Sequence, residues 1–245
     1  HPSAFGGCPW RDGTYYDTII PSLVLLYMAD RSGIEAMPRQ IDWEADKARV
    51  QSPDFQFDSD NPHPEGVMER VTRYYDLEAP AADAPDVVKL IHWGAGYYLM
   101  DPETSDPSGD PLGWDVHSQT IEQIAYVVWA WPLLEEWLPE SFYEQIRDLC
   151  FEHWETMGAL GIPESWHMST YQEDFGEGAA NPWRGRMHPY KGRHAPGHSI
   201  VPNLLMHEVA LRENRSDAKI YLNAAVEQAQ WIIDHLDWNA PRTTK

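Results

Sequence analysis

The sequence predicts an all-α fold, an (α/α) toroid of helical hairpins, and three observations predict it. Apolar residues recur at helical spacing in most segments that contain them. No stretch alternates apolar and polar residues at a period of two for long enough to make a strand. Helices apolar all round are followed by helices apolar on one side, as a ring with an inner and an outer layer requires.

The first helix is expected over 18–31, where Ile20, Leu23, Val24 and Tyr27 share one face, Pro21 falls in the first turn and Ser32-Gly33 supplies the stop. Periodicity then fades over about 37–80, and Pro, Asp and Ser accumulate, which reads as a long surface excursion with one or two short helices. Pro85 opens the next helix, whose stripe is Val88, Ile91, Ala95, Tyr98 and Leu99. A Gly/Pro/Asp loop follows. The stretch 118–138 is apolar nearly all round (Ile121, Ile124, Val127, Val128), whereas 141–157 carries a one-sided stripe of Phe142, Ile146, Leu149, Cys150, His153 and Met157. A second inner and outer pair is expected at 199–212, with Val201, Leu204, Leu205 and Val209, and at 217–236, with Ile220, Tyr221, Ala224, Trp231, Ile232 and His235. About three hairpins are legible, fewer than a closed (α/α)6 ring contains, so part of such a barrel is expected.

At 245 residues the chain is long enough for one domain, 1–245, to bury a core without staples. Cys8 and Cys150 permit at most one bridge and make no disulfide framework. The net charge of −21 argues against nucleic acid and anionic membrane surfaces, which are held by Lys and Arg. No apolar run is long enough to span a bilayer. The start His1-Pro2-Ser3 has neither an initiator Met nor a signal-peptide pattern, so a mature or excised segment is expected, with the rest of a longer chain or a second chain completing the domain. The acidic composition suits a secreted or periplasmic protein.

Three loops precede the expected inner helices. The first contains Trp10, Arg11, Asp12 and Asp17. Sugar sites combine an aromatic plate for the apolar face of a pyranose with carboxylates and Arg that satisfy its hydroxyls. The local alternative makes Asp12-Gly13 a turn and Asp17 a helix cap. The second loop repeats the recipe with Trp114, Asp115 and His117, where Asp115 or Ser118 could equally cap the helix.

The third loop, 161–198, is the richest, and a segment of that length without periodicity is usually functional. Glu164 stands beside Trp166 and His167, and a carboxyl against an indole holds its proton more tightly and can serve as a general acid. Glu173 and Asp174 are the local alternatives. Farther on come Trp183, Arg184, Arg186, His188, Tyr190 and His194. Four of the 18 basic residues fall between Arg184 and Arg193, which suits either a seat for a carboxylate or sulfate or neutralisation of the acidic loops.

On the aromatic, Arg and Asp cluster Trp10-Arg11-Asp12 and the hairpin rhythm, the chain resembles the six-hairpin glycosidase superfamily, the (α/α)6 group that includes glucoamylases and trehalases. The resemblance implies a glycoside hydrolase acting on an oligo- or polysaccharide, with Trp10, Arg11, Asp12 and Asp17 gripping the sugar. It also implies a Glu-Ser-Trp element, matched by Glu164-Ser165-Trp166, although His167 stands where the family carries Asp.

A toroidal polysaccharide lyase is the second reading: the basic island would neutralise a uronate while Tyr190 or His188 moves its α-proton. The third is a non-catalytic glycan-binding module. No cofactor is expected. His194 and His198 are four apart, but Pro196-Gly197 between them removes the helical geometry of a metal pair, and the Asp-rich loops, which leave calcium open, lack the EF-hand order. Gly-rich phosphate fingerprints, the P-loop and the serine-hydrolase elbow are all missing.

Overall fold

The structure is a computed structural model, and it describes residues 19–55, 72–96, 99, 119–154 and 199–235. Among these residues every regular element is an α-helix or a short helical turn, and there is no strand. The all-α expectation therefore holds for the described residues. Two compact units divide the chain, His1–Trp154 and Glu155–Lys245.

In the first unit, α1 spans Ile19–Ala29 and buries Ile20, Val24 and Tyr27, the expected face. Ser32-Gly33 does not stop it. The break falls at Asp30, whose side chain accepts from Gly33 N at 3.1 Å and caps a second helix, α2 (Arg31–Glu35). An Asp side chain turned back on its own backbone competes with helix continuation. A Cβ at Gly33 would push the Asp30 carboxylate out of this cap.

Residues 37–80 are not all surface. They contain α3 (Trp43–Val50), capped by Asp42 through Ala45 N, and a helical turn ending at Tyr74. Trp43, Val50, Tyr74 and Tyr75 are buried together, with Trp43 4.8 Å from the Tyr74 ring and 4.9 Å from that of Tyr75. α4 (Asp86–Gly96) follows Pro85 and buries Val88, Ile91 and Ala95 as expected, but also the polar Lys89 and His92.

The stretch 118–138 is two helices rather than one, α5 (Gln119–Trp129) and α6 (Trp131–Leu134). Pro132 lacks the N–H that would bond back into α5, and it sits in the first turn of α6 where that N–H is not needed. α7 (Glu140–His153) is one-sided, with Phe142, Tyr143, Ile146 and Cys150 inside and Glu144, Asp148 and Glu152 outside. Trp131 stacks on Tyr143 at 4.5 Å, fastening α6 to α7. Cys150 carries a free, buried thiol, and burial pushes it far above the ordinary thiol range.

In the second unit, α8 (Ile200–Arg212) and α9 (Ala218–His235) form a hairpin. The expected α8 stripe holds in part: Leu205 and Val209 are buried, whereas Val201 and Leu204 are 49% and 40% exposed, and Asn203, Met206 and Ala210 face inward as well. Buried polar Asn203 is what shifts the face, since an apolar count places it outside. On α9, Tyr221 and Ala224 are buried as expected, but Ile220, one position before Tyr221 and so turned about 100° from it, is exposed.

The turn between them is a C-cap in which Asn214 N donates to Leu211 O and Arg215 N to Ala210 O, with Asn214 left-handed at φ 55°. Arg215 pairs with Asp217, and Ala218 O lies 2.8 Å from His207 Nδ1. Asn214→Val should lower the stability of the chain by about 1–2 kcal/mol, the cost of a β-branched residue in that region. Asn214→Gly should leave it unchanged or raised, both read by urea denaturation.

Candidate functional site

The residues expected to bind sugar lie outside the described residues. This applies to Trp10, Arg11, Asp12 and Asp17, to Trp114, Asp115 and His117, and to Glu164, Trp166 and His167. It applies equally to Trp183, Arg184, Arg186, His188, Tyr190 and His194. The described residues do fix where their loops attach. The first two loops run into Ile19 at the start of α1 and Gln119 at the start of α5, and the third runs into Ile200 at the start of α8.

Within the first unit, side-chain contacts set the directions of α1, α4, α5 and α7. Trp137 Nε1 donates to Tyr27 Oη at 2.8 Å, and Arg31 pairs with Glu136, so the end of α1 meets the chain just after α6, the single turn that follows α5. α1 packs against α5, and with its end beside residues 136–137, one short turn past the end of α5, the two helices run the same way. Gly94, near the end of α4, admits Ile20 from the start of α1 so closely that a Cβ there would stand 3.0 Å from Ile20 Cγ1. Ala81 N, ahead of α4, donates to Trp137 O at 2.8 Å. α4 therefore runs against α1. Ser141 Oγ, in the first turn of α7, donates to Glu78 Oε2 at 2.6 Å, which puts the start of α7 at the same pole as the start of α4. Ile19, Gly96, Gln119 and Trp154 consequently share the other pole.

The pole that holds Trp137 is joined by polar contacts. Tyr27 Oη donates to Glu35 Oε1 at 2.7 Å, and Arg31 holds the same carboxylate at 2.6 Å, which keeps Glu35 below the ordinary carboxylate range. Burial, then the Glu35 acceptor, pushes the Tyr27 phenol up to about 12. Asp86 accepts from Gln40 N at 2.8 Å and Ile41 N at 3.1 Å, so the first-turn carboxylate of α4 holds the strand of chain before α3. Lys89 Nζ donates to Ile41 O and Ala82 O, each at 2.8 Å. Arg39 donates from Nε to Asp83 O and from Nη1 to Glu35 O and Met37 O. A pocket of about 330 Å³ opens between these segments, with Arg39, Ile41, Asp42, Trp43, Pro80 and Lys89 among its walls.

Deeper in the unit, Tyr74 Oη and His92 Nδ1 are 2.6 Å apart, and the imidazole lies against Phe142 at 4.2 Å and Trp43 at 5.4 Å. Burial pushes His92 down to about 3, against an opposing pull from the Glu78 backbone; its Nε2 forms no hydrogen bond among the described residues. The neutral imidazole is fully enclosed, so it serves packing and not an exposed reaction centre.

Sequence reasoning missed Arg39, Lys89 and Asp86. The available signal was Lys89 and His92, three apart, sharing a helical row beside the apolar stripe of Val88, Ile91 and Ala95, in a chain with few lysines. Among the described residues no group of His, Cys, Asp and Glu is placed to hold a metal, and no helix is long and apolar enough to cross a membrane. No protein-family description, curated protein or solved structure matches the chain.

The His92 environment makes stability depend on pH. The imidazole takes up a proton near 6.5 when unfolded but near 3 when folded. Between these values the unfolded chain binds the extra proton, so stability should fall as pH drops from 6.5 toward 3, by up to about 1.4 kcal/mol per pH unit. The double change Tyr74→Phe and His92→Phe should flatten that part of a urea-midpoint against pH profile. Tyr74→Phe alone, which strands Nδ1, should cost about 1–3 kcal/mol.

Proposed function

We propose that this chain is a carbohydrate-active enzyme of the glycoside hydrolase kind, cleaving glycosidic bonds of an oligo- or polysaccharide at a site built from loops between helices of an (α/α) toroid. The observation that supports it is the shared pole of Ile19 and Gln119: two segments more than ninety positions apart, each holding a Trp and Asp, attach to the same end of one helical unit. In this reading Trp10 and Trp114 stack on sugar faces, Arg11, Asp12, Asp17, Asp115 and His117 orient hydroxyls, and Glu164 beside Trp166 protonates the glycosidic oxygen. A secreted or periplasmic location belongs to the same proposal, on the acidic composition.

The basic island from Arg184 to His194 favours one alternative, a lyase that neutralises a uronate with Arg184 and Arg186 and moves its α-proton through Tyr190 or His188. Incubation with neutral and uronic oligosaccharides separates the readings. A hydrolase releases reducing ends, and Glu164→Gln lowers the rate by about 100-fold or more, the scale of lost general acid catalysis. A lyase yields an unsaturated product absorbing in the near ultraviolet, lost in Tyr190→Phe. Binding without either product would make the chain a glycan-binding module and overturn the enzymatic reading.

A further inference from the structure

We propose that the pocket between Arg39 and Lys89 is a binding site for a small hydroxylated carboxylate. This site lies at the pole opposite Ile19 and Gln119 and does not depend on the function proposed above.

Lys89 is only 4% exposed, yet its ammonium contacts no carboxylate among the described residues. Two of its N–H groups go to the carbonyls of Ile41 and Ala82, and the third has no protein acceptor there. Arg39 repeats the pattern: its Nε and Nη1 go to backbone carbonyls, and its Nη2 has no acceptor among the described residues. Both cations line one pocket of about 330 Å³. A buried cation satisfied only by neutral oxygens retains uncompensated charge, which favours an anion beside it.

Two of the nearby carboxylates are committed elsewhere. Asp42 caps α3 through Ala45 N, and Asp86 takes Gln40 N and Ile41 N. Glu35 feels the charge of Arg39 through space, yet neither Arg39 nor Lys89 closes an ion pair among the described residues. Ile41, Trp43, Ala79 and Pro80 give the pocket an apolar wall for a carbon skeleton, while Glu44, also lining it, suits ligand hydroxyls and Asp42 adds a second negative charge. The same two acids repel a dianion. A monoanionic carboxylate carrying hydroxyls meets all these features, and inorganic phosphate does not.

Calorimetric titration of the full chain with glucuronate, glucose and inorganic phosphate tests the assignment. Glucuronate is expected to bind at least ten-fold more tightly than either of the others, and Arg39→Gln and Lys89→Gln each to weaken it ten-fold or more. Glu144→Gln, on the exposed face of α7, should leave it unchanged. Because Lys89 also ties two carbonyls, Lys89→Gln is read only if its circular dichroism matches the parent; Arg39, half-buried, decides the question otherwise. Equal affinity for glucose, tighter binding of phosphate, no binding at all, or full glucuronate affinity in Arg39→Gln would each overturn the proposal.

Discussion

The hydroxyl of Tyr27 is the interaction on which the arrangement of the first unit depends. The residue is 1% exposed, and its hydroxyl donates to Glu35 and accepts from the Trp137 indole, a partner 110 positions away that it meets only in the fold. Leaving such a group unsatisfied costs about 1–3 kcal/mol, so alternative packings that separate α1 from the chain after α5 are disfavoured. Arg31, held to Glu35 and Glu136, repeats the connection at the surface, where a pair contributes less. Together they set the direction of α1 against α5.

Direction decides which loops can meet. Helices alternating up and down around α1 send the starts of α1 and α5 to one pole and the starts of α4 and α7 to the other. The segments of the proposed sugar site that end at Asp17 and His117 attach to the first pole through Ile19 and Gln119. The second holds the chain before α3 against the first turn of α4 through Asp86, Lys89 and Arg39, and those contacts leave a cation-lined pocket. One set of helix directions thus yields two chemically different ends.

Much of this fold is legible in the residues. Helical spacing locates α1, α4, α5, α7, α8 and α9, and Pro85 marks the start of α4. What periodicity misses has local causes. Asp30 breaks α1 by capping the next helix, and Pro132 divides what looks like one apolar run. Faces are misread where polar residues are buried: Asn203 turns α8, and Lys89 and His92 widen the buried arc of α4. Trp43 and Tyr74 reach the core from a stretch whose Pro and Asp content suggests surface, because burial there comes from aromatic clustering and not from a repeating stripe. For the candidate site, the described structure speaks to attachment points and not to Trp10, Asp12 or Glu164 themselves. The pocket cations escape a sequence reading because their partners are backbone carbonyls, which leave no trace in residue identity.

Paramagnetic broadening tests the common pole most directly. A nitroxide at Ile19→Cys, in a chain also carrying Cys8→Ser and Cys150→Ala, acts on the amides of α5, whose length is about 16 Å at the usual rise per residue. If α1 and α5 run the same way, the amides at 119–122 broaden strongly and those at 127–129 weakly. The reverse gradient would contradict the account.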